Sequence, residues 1–283
     1  MRGAMPSIGF SLGEAIAHRS IARAQIDVSR SFERLSTGKR INRAADDPAG
    51  TIAVNELDAQ IRSIERRITS AERSNTQLAA RDGGLSVIGD LVTELNGLVV
   101  AAGNRDVLGE DELNGLQQEA DSILDAINFL ANTTTYQGVQ TLTGYHASSL
   151  GGVTREITDE NGDVTTESLS IASLGTGGAL NLIDGDLELA QDAVEKAAGG
   201  LNSTRGAIGS LMNENDSTIR DLQTQLENLS AARSQIEDTD YYKEVSSLVR
   251  AQLLEQVSIR MALVARDQKH QVLKLLDGIR PVG

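Results

Sequence analysis

The sequence predicts a mainly α protein, a long antiparallel helix bundle or coiled-coil rod that carries one small β-hairpin. Three observations predict it. Apolar residues recur at alternating steps of three and four over most of the 283 residues, which is the spacing of one stripe along a helix. Three Phe, four Tyr and no Trp leave Leu, Ile, Val and Ala to supply the buried surface, although aromatic side chains usually dominate a compact core. Three prolines leave long stretches free of helix breakers.

The first helix is expected from Phe10 to Leu35, where Phe10, Ala17, Ile21, Ala24, Val28, Ser31 and Leu35 form a narrow stripe interrupted only by Glu14. The segment that follows, ERLSTGKRINRAADDPAG at 33–50, resembles a phosphate-binding loop at Ser36-Thr37-Gly38-Lys39. A P-loop needs a glycine five positions before the Gly-Lys pair, a Ser or Thr after it and a strand feeding it. Here Glu33 and Arg40 occupy those positions, and a helix precedes them. The segment therefore reads as a joint between helices. Gly38 can take positive φ and end the first, while Asp47 and Pro48 supply an N-cap and a first helical residue for the next.

The second helix is expected from Pro48 to about Ala102, with the stripe Leu57, Ile61, Ile64, Ile68, Ala71, Asn75 and Leu78 drifting into Leu85, Ile88, Val92, Leu95 and Val99. A turn at 104–109 precedes a third seam, Leu113, Leu116, Ala120, Ile123, Ile127 and Leu130. Residues 133–185 break the helical pattern, and REITDENGDVTTESLSI reads as a hairpin turning at Asn161-Gly162. Asp159, Asn161 and Asp163 have the alternation of a calcium loop, but Val164 and Ser170 stand where that loop needs Gly and Glu. From 187 to 239 the stripe steps by three and four without a break, through Leu201, Ile208, Leu211, Asn215, Thr218, Leu222, Gln225, Leu229 and Ile236. Asn215 and Gln225 are polar members expected to fix register. Asp240 caps a last helix whose Val245, Leu248, Val249, Leu253, Val257, Met261, Val264, Val272 and Leu275 form a wide apolar face, broadened by Leu254, Leu263 and Leu276.

Composition narrows the chemistry. With no cysteine there is no disulfide, thiolate site or cysteine nucleophile. His18, His146 and His270 have no zinc-ligand spacing, so no metal or other cofactor is expected. No run approaches the ~18 apolar residues of a membrane span, and the opening residues lack the apolar core of a cleaved secretory signal. The carboxylates Glu156 and Glu167 read as a solvated hairpin face rather than a catalytic pair.

The net charge of −14 is unevenly spread: residues 1–43 carry +5, residues 241–283 carry +3 and residues 44–240 carry −22. The acidic middle repels DNA and anionic membranes. No aromatic residues interleave with Arg19, Arg23, Arg30 and Arg34 to stack bases, so neither nucleic acid nor membrane is an expected partner.

The remaining problem is burial. At ~1.5 Å per residue the 187–239 seam spans roughly 80 Å, too long for a small globule. Three middle helices can cover one another, but the two terminal helices have only each other, and a lone pair leaves apolar surface in water. More copies of the same chain are the expected cover.

The joint segment, together with NLSAARSQIEDTDYYKEVSSLVRAQLLEQ at 228–256 and FLANTTTYQGVQTL at 129–142, resembles bacterial flagellin. The likeness spans about residues 10–142 and 187–276 in the family's own order. It implies a short form with an inner assembly domain formed by helices 1–40 and 241–283, and a rod at 41–240 with its hairpin insert at about 143–183. It also implies a structural filament subunit for swimming motility, or alternatively a hook-filament junction protein of the same family, and no enzyme. Assembly would fall to Ile21, Val28, Leu35, Val249, Leu253, Val257 and Val264. The joint would comprise Ser36, Gly38, Arg40, Asn42, Asp46 and Asp47, meeting the returning chain at Ile236 and Asp240. The family further implies extracellular localisation after type III export without a cleaved signal peptide. Its implied partners are copies of itself, flagellar cap and hook-junction proteins, and an export chaperone on the C-terminal helix.

Overall fold

The computed structural model describes residues 12–158 and 164–277. Five long helices account for most of it: α1 (Leu12–Thr37), α2 (Pro48–Ala102), α3 (Glu110–Thr133), α4 (Leu187–Glu237) and α5 (Tyr241–Asp277). Antiparallel strands β3 (Val153–Thr158) and β4 (Val164–Leu169) form the expected hairpin, whose connecting turn lies outside the described residues. A second, shorter pair joins it, β1 (Thr135–Tyr136) with β2 (Val139–Gln140). Gln137 and Gly138 both have positive φ there, as a two-residue type I′ turn requires.

The chain divides into two compact units, one of residues 1–64 with 225–283, the other of residues 65–224. The second unit holds the main core. Leu85, Ile88, Val92 and Leu95 of α2, Ile123 and Ile127 of α3, and Val194, Ala197 and Leu201 of α4 are all buried in it. Leu142, Ile171, Leu174, Leu180 and Leu182 from the connecting segment close it. Among the described residues no aromatic side chain is fully buried, as the composition requires. One stretch of α2 is long and apolar enough to cross a membrane by length and composition alone. A core helix meets the same criterion, and Leu85, Ile88, Val92 and Leu95 are buried in this core.

Helices α2, α4 and α5 begin where an aspartate takes up free N–H groups. The Asp47 carboxylate accepts from Gly50 N (2.9 Å), and Asp186 Oδ1 accepts from Glu188 N and Leu189 N (both 3.1 Å). Asp240 does the same for Lys243 N at 3.2 Å. Glu110, Asp111 and Glu112 complement the positive end of α3.

The inward stripe of α4 differs from its expected register. Leu211 is exposed, as are Thr218 and Gln225, while Met212, Ile219 and Leu226 turn toward the neighbouring helix. Beyond Ile208 the helix follows steps of four then three rather than three then four. That choice buries Met, Ile and Leu where the other would bury Leu, Thr and Gln. Asn215 remains inward and donates to Asn75 Oδ1 (2.9 Å) and Ser74 Oγ (3.2 Å), while Asn75 Nδ2 donates to Asp216 (2.6 Å).

A buried polar staple ties the loop before α4 to α3, and the apolar spacing of α3 gave no sign of it. Gln117, 3% exposed, accepts from Leu182 N (2.8 Å) and donates to Leu174 O (2.8 Å) and Asp121 Oδ1 (3.0 Å). Asp121 in turn accepts from Thr176 N at 2.8 Å and Thr176 Oγ1 at 2.5 Å. Replacing Gln117 by Leu strands a buried N–H and a buried carbonyl. We expect Gln117→Leu to lower unfolding stability by about 2–4 kcal/mol in urea titrations, more than a typical exposed polar substitution on the same helix.

Candidate assembly interface

In the first unit α1 packs along α5. On α1 the inward positions are Ala17, Ala24 and Ser31, fully buried, with Ile21, Val28 and Leu35 half-buried between them. On α5 they are Glu244 and Ala251, buried, and Leu248, Glu255, Ser258, Ala262 and Ala265, half-buried. This second stripe keeps a strict alternation of four and three, yet hydrophobicity does not reveal it because, apart from Leu248, small and acidic residues compose it. The repeated Ala and Ser at that spacing were the available signal. Small side chains let helix axes approach closely while contributing little apolar area. Polar contacts complete the seam: Gln25 Nε2 donates to Glu255 (3.2 Å), Arg34 lies 3.7 Å from Glu244, and the Tyr241 hydroxyl donates to Leu35 O (3.3 Å).

Apart from Leu248, the large aliphatic residues of α5 point elsewhere. Val249 is 49% exposed, Leu253 56%, Val257 54% and Val264 52%, accompanied by exposed Val245, Leu254, Met261 and Leu263. Isolated exposed apolar residues are ordinary, but a continuous ridge of eight on one helix is not. On α1, Ile16, Ile26 and Phe32 are likewise exposed. Ile16, Val257, Met261 and Val264 line a groove of about 390 Å³ along the flank of the pair. The side chains of Val272, Leu275 and Leu276 lie outside the described set. The expected assembly residues thus divide into Ile21, Val28 and Leu35, engaged in the seam, and Val249, Leu253, Val257 and Val264, facing outward.

The 36–50 segment is held by backbone and side-chain bonds together. Ser36 lies exposed in the last turn of α1; Gly38 follows with φ +71°, and its carbonyl accepts from Thr239 N at 2.9 Å. Arg40 N donates to Glu237 O at 2.6 Å, making an antiparallel bridge between Lys39 and Asp238. The Arg40 guanidinium donates to Ile236 O (2.7 Å from Nη2) and pairs with Asp47 (3.3 Å). Asn42 Nδ2 donates to Lys39 O at 3.0 Å, and Asp46 Oδ2 accepts from Asn42 N (3.2 Å) and Arg43 N (3.0 Å). Lys39 pairs with the largely buried Glu237, which also meets Arg233 at 2.8 Å; Arg233 reaches Asp58 at 3.2 Å. Ser36, Gly38, Arg40, Asn42, Asp46, Asp47, Ile236 and Asp240 therefore all lie at this junction, where Asp240 opens α5. The Gly38, Lys39 and Arg40 amides, which a phosphate loop would offer to a ligand, donate instead to Arg34 O, Thr37 Oγ1 and Glu237 O, so the arrangement is that of a fastener.

The carboxyl groups of the junction are tuned by these bonds. The Arg43 N–H, above all, holds Asp46 below its usual value, and the Gly50 N–H does the same for Asp47. For Glu237 burial pushes upward, but hydrogen bonds from Lys39 and Arg233 outweigh it and leave the carboxyl depressed.

On the hairpin, Arg155 pairs with Glu167 across the strands at 2.9 Å, while Glu156 stands opposite Thr166. The strand alternation places Glu156 and Glu167 on opposite faces, which removes them as a cooperating pair.

Two family profiles match this chain. The bacterial flagellin N-terminal helical region covers residues 12–147 and the bacterial flagellin C-terminal helical region covers 191–276. The chain belongs to the bacterial flagellin family. Flagellins are structural proteins rather than enzymes. A flagellar filament 30.7 kDa core protein of Treponema maltophilum is 26% identical over 95% of this chain and 99% of its own length. A flagellin of Bacillus subtilis (strain 168) is 28% identical, covering 87% of this chain and 92% of its own. The crystal structure of Bacillus cereus flagellin matches 58% of this chain and 94% of its own with a TM-score of 0.41 and 23% identity.

Depressed carboxyl values fix the sign of the pH dependence. Asp46, Asp47 and Glu237 contribute stability that is complete above their ordinary values of 3.8 and 4.5 and is lost as pH falls through the lower folded values. Amide exchange at Arg40 N and Thr239 N is therefore expected to quicken relative to the core amides of α3 on acidification below that range, and to be flat between pH 6 and 8.

Proposed function

We propose that this chain is the structural subunit of a bacterial flagellar filament and that its work is self-association through the terminal helices. The exposed ridge on α5 is the observation that carries this reading, because α1 turns small residues to α5 and leaves that ridge uncovered. At ~25 cal/mol per Å², 1,000 Å² of apolar contact supplies a driving term near 25 kcal/mol before ordering costs. Val249, Leu253, Val257 and Val264 make the intersubunit contact, and Ile21, Val28 and Leu35 hold α1 in place to frame it. Helices 1–40 and 241–283 form the inner assembly domain, 41–240 the rod, and residues 36–50 the joint. Flagellin and filament core relatives that span nearly the whole chain favour the filament over the junction protein.

The subunit acts outside the cell in the filament. It leaves by type III export without a cleaved signal peptide, guarded by a chaperone on the C-terminal helix. It is then placed beneath a cap, on a base of hook-junction proteins. Long helices paired by small residues suit a subunit that must travel unfolded and order on arrival.

Deleting residues 1–35 is expected to leave a soluble helical monomer that forms no filaments in electron micrographs. Leu253→Asp in the full chain is expected to keep the helical circular dichroism of the parent and to lose polymerisation, and normal filaments from either variant would refute the reading.

A further inference from the structure

On the flank of the α1–α5 pair a recess of about 260 Å³ is lined by an unbalanced set of charges. Arg30, Arg34 and Arg250 open onto it, against two carboxylates, Asp27 and Glu244. Arg34 lies 3.7 Å from Glu244, beyond hydrogen-bond length, and its Nε is buried without a partner. Arg30 and Arg250 are exposed and form no ion pair among the described residues, although Arg30 attracts Asp46 through space. A guanidinium fork matches a carboxylate in a planar, two-bonded geometry, and an orphaned buried N–H favours an acceptor that reaches it.

We propose that this recess receives a carboxylate side chain from the acidic 44–240 segment of a second copy of the chain. Two observations select a second copy over other anions. Every copy carries −22 between residues 44 and 240, against +8 shared by its two ends, so neighbouring copies supply the missing charge. Leu254, a member of the exposed α5 ridge, also lines the recess, which makes the charged site continuous with the apolar contact surface. Among the lining residues there is no aromatic ring to stack a base. The recess adds directional selectivity to an apolar contact that is otherwise non-directional. This inference rests on the filament reading.

The test is the critical concentration for polymerisation of the full-length protein, measured by sedimentation at low and high salt. Arg250 has no ion-pair partner among the described residues, so Arg250→Gln is expected to leave the monomer's melting temperature unchanged. Its critical concentration is expected to rise about two- to fivefold at low salt, the scale of a partly exposed ion pair, with the difference shrinking at high salt. Arg250→Lys is expected to recover part of the loss. A critical concentration for Arg250→Gln equal to that of the parent overturns the proposal while leaving the filament reading intact. Monomer that binds inorganic phosphate through Arg250, with polymerisation indifferent to the substitution, also overturns it in favour of a free anion. A parent protein that never polymerises overturns the filament reading and this proposal together.

Discussion

The interaction on which the account depends is the seam between α1 and α5, and its composition matters more than its length. Ala17, Ala24 and Ser31, with Ile21, Val28 and Leu35 half-buried between them, meet a face of α5 built from Glu244, Leu248, Ala251, Glu255, Ser258, Ala262 and Ala265. Such a seam holds two helices side by side with little apolar area. It commits the opposite choice for the large residues, since a helix that turns Ala inward turns Val249, Leu253 and Val257 outward. Were the seam built from those residues instead, the pair would satisfy itself and have no reason to associate. The weak internal pairing and the strong outward ridge are therefore one design feature seen from two sides.

The joint gives that feature its position. Backbone bonds from Arg40 N to Glu237 O and from Thr239 N to Gly38 O clamp the end of α1 beside the start of α5. The clamp does not depend on which side chains the two helices carry, so the seam can remain weak without losing its register. Charge reinforces it locally: Lys39 and Arg233 converge on Glu237, and their hydrogen bonds offset the desolvation that burial imposes on the carboxylate. The second unit is stabilised differently, by aliphatic packing around Leu85, Ile127 and Leu201 and by the Gln117 staple.

Much of this was legible in the sequence because helix stripes are repetitive. The stripes of α1, α2 and α3 were readable from spacing, and Asp47-Pro48 and Asp240 marked helix starts through capping chemistry that acts within four residues. The α4 register is not legible because a period of 3.6 lets both Leu211 and Met212 lie near the face, and only the neighbouring helix decides between them. The inward face of α5, Leu248 apart, is not legible for a different reason. Hydrophobicity selects the greasiest stripe, and on this helix the greasiest stripe is the one left in solvent. Gln117 is not legible in the sequence because its partners, Leu174 and Leu182, offer backbone groups that no side-chain pattern records. The fastener at 36–50 was recognisable as a non-catalytic turn from Glu33 and Arg40, whereas the specific acceptors of Arg40 depend on the returning chain.

The central claim, that the α5 ridge is open in the single chain and covered by other copies, is most directly tested by thiol labelling. The chain has no cysteine, so Leu253→Cys introduces a unique reporter at the middle of the ridge. Labelling is expected to proceed at the rate of a solvent-exposed thiol in dilute monomer, and at least about tenfold more slowly in polymerised protein, as expected for a site buried on association. A thiol already protected in the monomer, or one equally reactive in monomer and polymer, would contradict the account.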